Sequence, residues 1–170
     1  MIQPTSKGHT LRKVFAGLAA LLALVIVVQF FLAASGAFDT APKDESFQIH
    51  RSLGYVILLF AAVLTIVAAL TRMPGRLIGM TGLVAGLVVV QVLIREFATA
   101  LGDTGGTSTT AGQLIFGLHA VNGLIILAVA GRVAQRARAL SRSALAHRRA
   151  GTGDDARVSG QAAGPAQPAS

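Results

Sequence analysis

The 170-residue chain has no cysteine, no tryptophan, a single tyrosine and only seven acidic residues. Without cysteine there can be no disulfide, no iron–sulfur cluster, no thiolate-ligated haem and no C-x-x-C-H haem attachment. Without tryptophan, and with one tyrosine, no basic patch is interleaved with base-stacking aromatics, so nucleic acid is not an expected partner. Charged residues are also scarce, at 13% against 53% hydrophobic, and the mean hydropathy is +0.65. That balance belongs to a membrane protein. Five of the acids (Asp39, Asp44, Glu45, Glu96 and Asp103) lie in or beside two connections between apolar stretches. No Ser-His-Asp arrangement follows from them, and no acidic or thiol cluster completes a zinc site. No catalytic constellation is visible.

What the chain does contain is four long apolar stretches: Val14 to Phe38, Gln48 to Thr71, Leu77 to Ala98 and Gln113 to Val133. A bilayer core takes about 20 mostly apolar residues per helix, and backbone groups in lipid must be satisfied internally. Helices are therefore expected. The first stretch, preceded by Lys7, Arg12 and Lys13 and followed by "AASGA", has the flanks of a secretory leader. Its apolar run is much longer than a leader's core of roughly 7–15 residues, so it reads as a span. The expected fold is an all-α, four-span, up-down-up-down bundle at residues 14–138. A polar arm at 1–13 precedes it, and a basic then disordered tail at 139–170 follows it. Within that tail, "AQRARALSRSALAHRR" is compatible with either a basic surface helix or a solvated extension. Gly151 to Ser170, rich in Gly, Ala, Pro and Ser, reads as disordered.

The formal charge of +8 is unevenly placed. Lys7, Arg12 and Lys13 precede the first span, Arg72 and Arg76 bracket the second turn, and a run from Arg132 to Arg157 follows the fourth. The positive-inside rule then puts both termini in the cytoplasm of a multi-pass plasma-membrane protein. The lipid bilayer, with anionic lipid beside the basic end, is the first expected partner.

The chain also repeats itself. "HRSLGYVILL" begins at His50 and "HAVNGLIILA" at His119, each a histidine, three residues, a glycine and an apolar run. Each is preceded by an apolar run carrying one glutamine, Gln29 or Gln91. The echo is a parallel two-helix repeat, related by a two-fold axis along the membrane normal. In a bundle with short loops the second and fourth spans lie on a diagonal, so His50 and His119 would face each other. An intramembrane histidine is a functional candidate by default, and two facing imidazoles can hold both axial positions of a b-type haem. Gly54 and Gly123 would leave room for the macrocycle. Gln29 and Gln91 would accept the second imidazole N–H, Arg51 and Arg95 would reach the propionates, and Ala61 and Ala68 would keep the interior open. Haem b would make the chain an electron carrier or haem-handling protein, working with a quinone or a redox partner protein. The alternative is a cofactor-free scaffold or accessory protein whose Gln and His side chains only tie helices together. Arg95 and Glu96 are adjacent and are expected to point apart, as interface residues rather than a dyad.

One measurement strains the repeat. His50 lies 22 residues before Arg72 and His119 only 13 before Arg132, about 33 Å and about 20 Å of helix. For the histidines to meet, either Arg132 snorkels from within the apolar band, leaving Arg136 nearer the boundary, or the second span protrudes.

At these residues the sequence resembles one four-helix half of haem A synthase. The likeness is carried by "HR" opening the second span, "GLVVVQ" in the third and "LHAVNGLIILA" in the fourth. It implies that His50 and His119 ligate haem. The synthase has a second four-helix half, and a glutamate where this chain has Phe47, so its reaction is not implied. The chain looks closer still to small uncharacterised bacterial four-helix membrane proteins that share "QFFLA…H…LG…Q…LH..NG".

Overall fold

The computed structural model describes the backbone of residues 6–101 and 109–161, and the side chains of residues 8, 10–101 and 109–143. The side chains of His9 and His147, Asp103 and the residues from 162 onward lie outside these described parts, as do the other tail side chains. Five helices occur in order: α1 (Ser6–Phe38), α2 (Lys43–Ser46), α3 (Gln48–Leu70), α4 (Gly75–Ala100) and α5 (Thr110–Gln161). Thr10–Phe38, Lys43–Leu70, Gly75–Ala100 and Thr110–Ser143 are long and apolar enough to cross a membrane. Large apolar side chains such as Leu24, Phe31, Leu59, Ile66 and Leu124 are exposed, as the lipid-facing surface of a span requires. This is a multi-pass, all-α membrane protein.

The helices are longer than hydropathy alone indicated. α1 begins inside the expected polar arm, and the acidic connection from Asp39 folds partly into α2. α5 runs without interruption through the basic stretch.

The core follows a heptad seam. The buried residues of the seam are Phe15, Ala19, Leu22 and Ile26 on α1, and Ile57, Ala61, Leu64 and Ala68 on α3. On α4 they include Leu77, Thr81, Val84 and Val88, and on α5 Ile126, Ala130, Val133 and Ala137. Each set has spacing four, three, four, the a/d stripe that winds helices into a bundle. α1 packs on α3 and α5, and α4 packs on α3 and α5, with no close backbone approach of α1 to α4 or of α3 to α5 among the described residues. The ring order is thus α1, α3, α4, α5, and α3 and α5 lie on a diagonal.

The seam carries the internal repeat. Every buried seam residue of α1 maps onto α4 at an offset of 62 (Phe15 onto Leu77, Ile26 onto Val88), and α3 onto α5 at 69 (Ile57 onto Ile126, Ala68 onto Ala137). Cross-helix contacts set the register: Gln29 with His50, Thr65 with Gly82, Phe30 with Gly123 and Gln91 with His119. In that register the large pair alternates between diagonals. Leu22 and Val84 fill one layer beside Ala61 and Ala130, and Leu64 and Val133 fill the next beside Ala19 and Thr81. Large against small at each level is how a bundle interior closes without voids. Ala61 and Ala68 are fully buried, so they pack the interior instead of keeping it open. The hydroxyl of buried Thr81 is satisfied within its own helix, donating to the carbonyls of Ile78 (2.9 Å) and Leu77 (3.2 Å).

The α3–α4 turn is a Schellman cap. Met73 N–H donates to the Ala68 carbonyl and Arg72 N–H to that of Ala69, with Arg72 at φ 51 in the left-handed position that glycine ordinarily takes. Buried Met73 and Ala68 supply the accompanying apolar contact, and Pro74 starts the next helix. This turn also settles the depth of the histidines. Pro74, Arg76 and Leu77 line one cavity with Arg136, Leu140 and Ser143, so Arg72 is level with that later part of α5 and not with Arg132. Arg132 lies at the depth of Val63, exposed on the outer face of the bundle.

Candidate functional site at the end of the bundle seam

Continued toward the end of the bundle away from the Pro74 turn, the seam changes from apolar to polar. One step past Ile26 and Val88 it reaches Gln29 and Gln91. Past Ile57 and Ile126 it reaches Gly54 and Gly123, then His50 and His119. All four polar residues are half-buried. In both halves the glutamine Nε2 donates to the backbone carbonyl of the histidine, at 2.7 Å each. A helical carbonyl is normally shielded by the side chain four residues on. Glycine at that place uncovers it, and a Cβ at Gly54 would lie 3.3 Å from Gln29 Nε2. His-x-x-x-Gly paired with Gln is therefore an interhelical clamp.

This corrects one expectation. The glutamines do not accept the imidazole N–H; their amides serve the histidine backbone. Side chains also lie against the glycines: Gln29 meets the face of Gly54, and the face of Gly123 is met by Phe30 Cζ at 3.1 Å and Gln91 Nε2 at 3.7 Å. The physical reason is close helix approach, the ordinary use of glycine between membrane helices.

The imidazoles take their anchors from the backbone. Nδ1–H of His50 donates to the Gln29 carbonyl at 3.2 Å, so Gln29 and His50 clasp reciprocally. Nδ1 of His119 is buried without a hydrogen-bond partner. With its Nδ1 on a carbonyl, His50 keeps its Nε2 lone pair available. The rings approach across the α3–α5 diagonal with centroids 6.3 Å apart and planes at 48°. Each is backed by a phenylalanine three residues earlier: Phe47 edge-on to His50 at 6.0 Å and Phe116 stacked on His119 at 5.3 Å.

The two halves differ at one place. Asn122, only 7% exposed, donates to Gln91 Oε1 at 2.5 Å and to the Leu87 carbonyl at 2.9 Å. The corresponding residue on α3 is Leu53, and Gln29 Oε1 is buried without a donor. Sequence reading passed over Asn122 and the Phe47/Phe116 pair, although an amide inside an apolar span and a repeated Phe-x-x-His were both visible.

Arg51 and Arg95 sit beside this layer but are engaged with acids. Arg51 Nη1 lies 3.5 Å from Asp44 Oδ1 and its Nη2 also donates to the Asp44 carbonyl; Arg95 pairs with Glu96 at 2.6 Å. Arg95 and Glu96 thus converge instead of pointing apart, as an interface pair. No group of three or more His, Asp or Glu side chains able to hold a metal ion occurs among the described residues. Two imidazoles suit a group that brings its own equatorial ligands better than a bare ion.

Fold and site together define a multi-pass helical membrane protein with a polar Gln–His layer at one end of an apolar seam. Residues 29–100, covering the first clamp, the α3–α4 turn and Gln91, match a family of unknown function (DUF6220). Comparison with curated proteins and with solved structures gives no match. These comparisons give the chain no link to haem A synthase; the matched family agrees with the likeness to small uncharacterised membrane proteins.

Proposed function

We propose that the chain is a bis-histidine b-type haem protein of the membrane. The observation that carries this reading is the His50–His119 pair, with ring centroids 6.3 Å apart. Two imidazoles on opposite sides of one metal, with bonds of about 2 Å, would have ring centres about 6 Å apart. In support, the ring of His50 is held by its Nδ1 on a backbone carbonyl, the arrangement that orients a ligating imidazole. A bound haem supplies one-electron transfer. The protein's part is to hold the two imidazoles, fix the orientation of His50 through its clasp with Gln29, and offer Arg51 and Arg95 as cations at the rim. A quinone or a redox partner protein would exchange the electron. The charge asymmetry further supports both termini lying in the cytoplasm of a plasma-membrane protein. That arrangement puts the histidine layer near the outer surface.

A second reading is favoured by the filled faces of Gly54 and Gly123. The chain is then a cofactor-free scaffold or accessory protein, its polar layer a set of helix ties. Haem-replete expression followed by optical and EPR spectra separates the two. The haem reading expects a Soret band and a low-spin signal, lost in His50→Ala and in His119→Ala as one strong-field ligand disappears. A folded, haem-replete preparation without colour refutes it, as does a low-spin signal that survives both substitutions.

A further inference from the structure

At the end of the bundle opposite the histidines, the α3–α4 turn and the extension of α5 flank an open cavity of about 330 Å³. That is within the range of small-ligand clefts, roughly 300–1,000 Å³. Its floor is apolar, from Leu77, Ala139 and Leu140, and its rim carries Arg76, Arg136 and Ser143. Neither guanidinium has an ion-pair or hydrogen-bond partner among the described residues. The carboxylates whose side chains are described (Asp39, Asp44, Glu45 and Glu96) all sit at the other end of the bundle. Two arginines on one cavity, with no counter-charge among the described residues, repel each other until an anion joins them.

The place of the cavity narrows the choice of anion. Leu77 belongs to the last apolar layer of the seam, and the arginines lie at that layer's edge, where a span gives way to headgroups. A soluble anion has no use for a leucine floor. A phospholipid does, because its phosphate and its acyl chain must be met at the same time. Basic pockets between spans, at the headgroup level of the basic side, meet that need. We propose that this cavity binds one anionic phospholipid from the leaflet facing the basic end, its phosphate between Arg76 and Arg136 and its acyl chain against Leu77 and Leu140. The site is independent of the haem reading, since it shares no residue with the histidine layer.

The test uses the full chain in nanodiscs of phosphatidylcholine with a minor fraction of phosphatidylglycerol, counting retained lipid by native mass spectrometry. Wild type should keep a single phosphatidylglycerol. Arg76→Gln and Arg136→Gln should each lower its retention about 5-fold, and the double variant about 30-fold, the scale of a cation at an anionic surface. Arg138→Gln removes the same charge from the same helix but not from the cavity, and should change retention less than about twofold. Ser143→Trp fills the cavity without altering charge and should also release the lipid. Three results would each overturn the site: equal loss in Arg138→Gln, which indicates diffuse attraction; full retention in the double variant; or displacement by inorganic phosphate at constant ionic strength, which indicates a free-anion site.

Discussion

The difference between the two glutamine clamps can be measured as stability. Gln91 takes part in two interhelical hydrogen bonds, to the His119 carbonyl and from Asn122. Gln29 donates one, to the His50 carbonyl, while its Oε1 is buried without a donor. An interhelical hydrogen bond in a membrane bundle contributes about 0.6 kcal/mol on average, with a maximum near 1.7. Gln91→Leu should therefore cost about 1.2 kcal/mol. Gln29→Leu removes one bond but also removes the orphaned acceptor, and leaves the His50 contact intact because that contact is to the Gln29 backbone. Its net cost should be under about 0.5 kcal/mol. Asn122→Leu turns the second half into a copy of the first, and in that background Gln91→Leu should fall toward the Gln29 value. The double-mutant cycle would then give a coupling of about 0.6 kcal/mol. Reversible unfolding in mixed micelles, followed by far-UV circular dichroism on haem-free protein, reads these differences without a ligand contribution. Equal costs for the two glutamines, or zero coupling with Asn122, would refute the assignment.

Arg72 occupies a left-handed conformation, φ 51, that costs a non-glycine residue about 1–2 kcal/mol; Arg72→Gly should raise stability by about 0.5–1 kcal/mol after the entropy of the unfolded chain is counted, seen in the same micelle titration. Gly123→Ala places a Cβ 3.1 Å from Phe30 and should destabilise by about 1–3 kcal/mol. Gly86→Ala meets nothing within 4 Å and should be neutral or slightly stabilising, so an equally small effect at Gly123 would show that the α1–α5 approach is looser than described. For orientation, a cysteine at Thr110 should react with an impermeant thiol reagent applied to intact cells and one at Arg142 should not; the opposite labelling pattern would invert the proposed sidedness.

The four spans could be read from hydropathy, and the pairing of halves from the repeated glutamine and histidine. What pattern alone could not supply was the atom each side chain would reach. Periodicity puts Gln29 on the face toward His50, but an amide facing a histidine can meet its ring or its backbone. The choice depends on the uncovered carbonyl that Gly54 leaves behind. The same limit applies to the glycines, since a missing Cβ invites a cofactor and a neighbouring helix alike, and close packing favoured the helix. The arginines misled as a depth ruler for another reason. Arg72 ends a helix, whereas Arg132 sits within one that continues, so equal charge did not mark equal depth. Asn122 does not show in the repeat, because a pattern common to both halves leaves unmarked the position where they part.

That divergence follows from having both halves on one chain. A dimer of two identical hairpins, arranged about the same axis, would carry the same residue at the places of Leu53 and Asn122, and both glutamines would be equally satisfied or equally starved. Joined by the Pro74 turn, the halves are released from that identity while their seam still packs as if symmetric. The two imidazoles therefore look out from unlike surroundings, one beside an amide network and one beside a buried oxygen with nothing to accept. Anything seated between them meets a polarised space with a distinguishable left and right.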